Sequence, residues 1–141
     1  MKNPISSLAT AYYNILDGNL TLPNYGMLPV YDGMAPDSEI GSYVLLSTDR
    51  QAVQVPDKCT FYWEAYILVD IVDKSGNFGF NGSDAVSEQI GSLISTHLNP
   101  NLAPDFQCFT TIANIQNLQG LNPTEPVFRT LVRYFHKIVQ L

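Results

Sequence analysis

The stretch from residue 59 to 73 limits the fold more than any other part of the chain. Phe61, Trp63, Ala65, Ile67, Val69 and Ile71 alternate with Tyr62, Glu64, Tyr66, Leu68, Asp70 and Val72. A strict period of two is a strand period, and the first set is wholly apolar, so that face belongs against a core. The second set mixes tyrosines, an aliphatic and carboxylates. Such a face suits a partner better than bulk water. A sheet with one buried face and one usable face follows from this one segment.

The rest of the chain supplies what the buried face needs. Residues 4–17 predict a helix: Asn3 suits the cap, Pro4 the first helical position and Gly18 the stop. Ile5, Leu8, Tyr12, Ile15 and Leu16 form its apolar stripe, and Ser6, Ser7, Thr10 and Asn14 its polar face. A second helix is predicted over 83–97, capped by Ser83 or Asp84 and stopped by Asn99-Pro100. Val86, Ile90, Leu93 and Ile94 are its buried positions.

Further strands are predicted over 27–31, 40–47, 106–118 and 127–141. Pro29 puts the first of these at a sheet edge. In the last, Phe128, Thr130, Val132, Tyr134 and Ile138 share one face, and Arg129, Leu131, Arg133, Phe135, Lys137 and Val139 the other. The polar segment 48–58 is long for a hairpin loop and reads as a projecting hairpin arm or a loose connection. The order is α-β-β-β-α-β-β, a single α+β domain over residues 1–141. Short links between consecutive strands predict one mainly antiparallel sheet of about five strands, with both helices on one face.

Chemistry is hard to find in the residues. Gly76, Gly79 and Gly82 precede the second helix, but no Gly-Lys-Ser/Thr follows and Phe78 and Phe80 interrupt the loop. A phosphate cradle is therefore not expected. A loop that docks those two aromatics into a neighbour fits better. No Gly-x-Ser-x-Gly elbow occurs, and the two cysteines, Cys59 and Cys108, make neither a Cys-x-x-Cys motif nor a zinc set with His97 and His136. Cys108 reads as a buried free thiol. Glu64, Asp70 and Asp73 read as members of a solvated or interface face, not as catalytic carboxylates. No enzyme activity, cofactor or metal is expected.

Only 14% of residues are charged, about half the usual share. Charge depletion is a feature of buried interfaces. The net charge of −6 argues against wrapping DNA, though not against lining a channel through which DNA slides. Arg129, Arg133 and Lys137 are three of only seven basic residues and share one strand face. They suit ion pairs across to Glu64 or Asp70, a protein partner's carboxylates, or DNA phosphate. The opening Met-Lys-Asn-Pro-Ile-Ser-Ser carries no apolar core of a signal peptide, and no apolar run is long enough to cross a bilayer.

Element order and local patterns together resemble the phage tail-terminator (tail-completion) family, the minor tail protein U-like proteins. The matching features are an N-terminal helix, Leu-Pro-Val-Tyr-Asp at 28–32, Met-Ala-Pro at 34–36, and Ser-Tyr-Val-Leu-Leu at 42–46. They continue with the long strand, a helix carrying Ala85-Val86 and Ile90, and an ending with Phe128-Arg129-Thr130 and Arg133-Tyr134. The resemblance implies a virion protein, made in the host cytoplasm, that forms a homo-oligomeric ring. Hexamers are usual and a dodecamer is the other ring considered. Such a ring caps the tail tube and joins it to the head, with the sheets of adjacent subunits side by side. Its partners would be connector or stopper proteins and tail tube proteins. Genomic DNA would pass through the lumen without specific binding, and no membrane is involved. A connector ring of a short-tailed phage using the same fold is also open. Tyr62, Glu64, Tyr66, Leu68, Phe78, Phe80, Arg129, Arg133 and Lys137 are the candidate interface residues. A small monomeric or dimeric module that binds through the open sheet face is the alternative.

Overall fold

The computed structural model describes residues 3–56, 61–76, 79–120 and 127–141. Helix α1 (Pro4–Leu16) starts where Asn3 Oδ1 accepts the Ile5 N–H at 3.0 Å. Its stripe of Leu8, Tyr12, Ile15 and Leu16 is buried, and Ser6, Ser7, Thr10 and Asn14 are exposed, as the helical spacing predicts. A two-stranded hairpin follows, β1 (Thr21–Leu22) and β2 (Gly26–Met27). Then come β3 (Val30–Asp32), β4 (Tyr43–Pro56), β5 (Phe61–Asp73), α2 (Asn81–Leu102), β6 (Phe106–Gln119) and β7 (Phe128–Gln140).

The main sheet has the order β3-β4-β5-β7-β6. It is mixed, which corrects the expectation of a mainly antiparallel sheet. The long strands β4, β5, β7 and β6 pair antiparallel, but β3 runs parallel to β4, with Val30 opposite Val44. The cause is the connection at 33–42. Tyr31 donates its hydroxyl to Glu39, and Glu39 also accepts the Gly41 N–H at 2.9 Å. Gly33, at φ 86, sends its N–H to Leu46 O at 2.8 Å. The chain therefore loops back before re-entering the sheet instead of turning as a hairpin. The strand expected over 27–31 is split at Leu28-Pro29 into β2 and β3, with β3 at the edge as the proline suggested.

The apolar face of β5 meets both helices. Ala65, Ile67, Val69 and Ile71 join Val44 and Leu46 of β4, Val132, Tyr134 and Ile138 of β7, and Val86, Ile90, Ile94 and Leu98 of α2 in one core. Each fully buried aliphatic here contributes about 1.5–3 kcal/mol. Phe61 departs from the expected pattern: it lies on the core-facing register, yet the helices do not reach it and it is 57% exposed.

Helix α2 also differs at both ends. It begins at Asn81 with Phe80 as cap, and Ser83 turns inward to meet Thr130 Oγ1 at 2.8 Å. It continues through Pro100 to Leu102. A proline removes one backbone donor, and side chains stabilise this turn instead. Asn101 Nδ2 donates to His97 O at 2.8 Å, and Asn99 Oδ1 accepts the Cys108 N–H at 2.7 Å.

Of the segment 48–58, residues 48–56 belong to β4, and residues 57 and 58 lie outside the described residues. Residues 50–56 continue β4 and pair with β5 from Ile67 to Phe61, after a register shift between Leu46 and Arg50. Strands β7 and β6 flank that pairing. Cys108 is a buried free thiol, as expected, and burial pushes it up to about 11. Cys59 and the rest of 57–60 lie outside the described residues.

Candidate interaction face

Period-two alternation places Tyr62, Glu64, Tyr66, Leu68, Asp70 and Val72 on the face of β5 away from the helices. The antiparallel register brings the alternate residues of β7 beside them: Glu64 opposite Lys137, Tyr66 opposite Phe135, Leu68 opposite Arg133 and Val72 opposite Arg129. Seven of the nine sequence-derived candidates therefore lie on one continuous face: Tyr62, Glu64, Tyr66, Leu68, Arg129, Arg133 and Lys137. Phe80 is engaged within its own chain, its ring edge-on to Phe128 at 5.2 Å between centres. Phe78 lies outside the described residues.

The cations on this face are held by named partners. Arg129 grips Asp70 at two points, 2.6 Å and 3.2 Å. Asp70 is buried, and its hydrogen bond raises the Arg129 pKa. Arg133 reaches Asp49 on β4 at 2.9 Å, an exposed pair worth at most about 1 kcal/mol. Lys137 sits 4.6 Å from the centre of the Tyr62 ring, a cation–π contact. Beside it, Tyr66 and Phe135 pack at 5.3 Å between centres. Phe135 shares the face, as its alternation in β7 predicts, but was not among the nine candidates.

The face is built from half-buried aromatics and aliphatics among internally paired charges, and no described helix covers it. That composition suits a protein contact. Two of the three cations already have carboxylate partners, which leaves less reason to assign the row to DNA phosphate.

The other chemical groups are internal. His136 and Tyr12 meet in the core at 2.5 Å. Asp73 is buried beside Gly82 at the start of α2. No group of three or more His, Cys, Asp or Glu among the described residues is placed to hold a metal, and no described helix is long and apolar enough to cross a membrane. An open groove of 320 Å³ runs between α2 and β6, lined by Gly91, Ile94, Ser95, Thr110, Thr111, Ile112 and Tyr134. The Tyr134 hydroxyl is buried without a hydrogen-bond partner, and burial raises its pKa.

No family model matches the sequence. No curated protein matches it either. Among solved structures, a chain from the virion of a native gene transfer agent particle superposes with a TM-score of 0.53 at 17% identity, covering 99% of this chain and 100% of that one. The likeness is one of fold, extending over the full length of both chains.

Proposed function

We propose that this chain is a structural, non-enzymatic virion protein. It forms a ring at the head–tail interface or at the top of the tail tube, ends tail assembly and joins the tail to the head connector. The observation that carries the reading is the end-to-end match to a single chain of a gene transfer agent virion, with neither chain having a domain left over. The low charge content and the uncovered sheet face support it, because both suit a subunit enclosed by others. The ring is a homo-oligomer, most simply a hexamer. Its axial neighbours are a connector or stopper protein and the tail tube, and genomic DNA passes through the lumen.

The test is native mass spectrometry of the purified protein, followed by electron microscopy of particles from its source. A closed ring of one stoichiometry, found again at the neck of the particle, is the expected result. A monomer absent from particles overturns the reading. That result would favour a small binding module using the 320 Å³ groove beside β6.

A further inference from the structure

We propose that neighbouring copies join edge to edge, with β6 of one copy pairing antiparallel to residues 50–56 of β4 in the next, so that the sheets become continuous around the assembly. The proposal rests on the ring reading above and names the surfaces that close the ring.

Strand β6 is an edge whose only interruptions among the described residues are a bulge between Ile112 and Asn114 and the Asn99 side chain at Cys108. It is fourteen residues long and contains no Asp, Glu, Lys, Arg or Pro. Long edges normally carry such residues to prevent pairing with other chains. Phe109, Ile112 and Ile115 are 59%, 51% and 51% exposed along it. At the opposite edge, β3 pairs with β4 only at Val44, Leu45 and Leu46. Past that point no described strand lies on the outer side of β4. Residues 51–55, Gln-Ala-Val-Gln-Val, carry neither charge nor proline, between Arg50, which is paired with Asp32, and Pro56, and Val53 is 44% exposed.

The two edges match in level, face and hydrogen-bonding phase. Following the registers across the sheet, Val53 stands opposite Glu64, Glu64 opposite Lys137, and Lys137 opposite Phe109. Directly opposed residues share a face, so Val53 and Phe109 project from the same side at the two ends of one row. The next row runs Ala52, Ala65, His136, Thr110.

Backbone direction can be read from the contacts at each edge. The Cys108 N–H leaves the sheet to reach Asn99, so Thr110 and Ile112, at even spacing, also point their backbone groups outward. The Val44 N–H points outward to Pro29 O. The register carries the same phase through Leu46 to Arg50, Ala52 and Gln54. Placed at equal height, Ala52 and Thr110 therefore form a hydrogen-bonding pair, while Val53 and Phe109 form the closer, non-hydrogen-bonded pair. Four long strands bring the row back in phase, whereas a one-residue slip would put every side chain on the wrong face. β4 and β6 run in opposite directions within the sheet, so rotation about an axis along the strands sets them antiparallel. A head-to-tail interface of this kind closes into a ring when the rotation between copies divides a full turn. Strand tilt adds a fixed stagger to this equal-height pairing.

The test uses Val53→Cys with Phe109→Cys in one chain and each change alone. A bis-maleimide too short to span the roughly 14 Å of three strand spacings is added, with wild type as the control for native thiols. Both sites are exposed, so the variants should fold. The double variant should give a ladder of covalent oligomers ending at the ring size, and the single variants should not. Covalent dimers from Phe109→Cys alone would replace the proposal with β6-to-β6 pairing. A ring in native mass spectrometry without a ladder overturns the strand pairing but leaves the ring reading standing. A protein that is both monomeric and unlinked overturns both.

Discussion

Acidification from pH 7 to pH 5 should weaken this fold through a single side chain, His136. Its Nδ1 lies 3.0 Å from Ala65 O, and a carbonyl can only accept, so Nδ1 carries the proton. Nε2 is then bare and accepts from the Tyr12 hydroxyl at 2.5 Å. The imidazole is fully buried and neutral, bridging α1 to the centre of the sheet. Burial pulls its pKa from 6.5 down to about 4, against a smaller upward pull from Ala65 O. Between these values the unfolded chain holds a proton that the folded chain lacks. Stability therefore falls as pH drops through this window. The full loss is on the order of 3 kcal/mol, of which about 2 kcal/mol falls between pH 7 and pH 5. Urea unfolding followed by fluorescence of Trp63, the single tryptophan, measures this directly. His136→Gln can still donate to Ala65 O and accept from Tyr12 but does not titrate, so its midpoint should change much less over the same range. Equal wild-type midpoints at pH 7 and pH 5, or an undiminished pH slope in His136→Gln, would refute the reasoning.

Arg133→Glu should keep the fold, because its pair with Asp49 is exposed, yet block assembly; unchanged circular dichroism with a monomeric native mass is the expected pair of results, and wild-type assembly would remove Arg133 from the interface. Arg129→Ala leaves the buried Asp70 carboxylate without its two-point partner and should cost about 1–3 kcal/mol in urea unfolding at pH 7. Gly82→Ala would place a Cβ 2.8 Å from Asp73 Oδ2 and 2.9 Å from Leu22 Cδ1, so those buried side chains or α2 must shift; a loss of about 1–3 kcal/mol is expected, and a neutral result would show that the two side-chain ends move aside easily.

The elements with a strong period were legible in the sequence. The apolar faces of β5 and β7 and the stripes of α1 and α2 follow from spacing alone, because one misplaced apolar face costs several kcal/mol and leaves few arrangements open. The candidate face was legible for the same reason: Tyr62, Tyr66, Arg129 and Lys137 alternate with core residues, so they had to point away from it. Capping was less legible. Ser83 reads as a cap until Thr130, 47 residues away, is known to donate to its hydroxyl oxygen. Pro100 reads as a stop until Asn99 and Asn101 are seen stabilising the turn around it.

Tertiary structure decided what depends on distant partners. The sequence by itself determined which residues share a face, because period and side-chain chemistry are local, but not how far the core reaches along each strand, as exposed Phe61 and buried Asp70 show. It did not determine that β3 runs parallel to β4, since the Tyr31–Glu39 contact that turns the chain carries no periodic signal. Nor did it show that residues 50–56 extend β4 beyond its pairing with β3 or that Val53 and Phe109 end the same row, because strand order and register emerge only when all four long strands pack together.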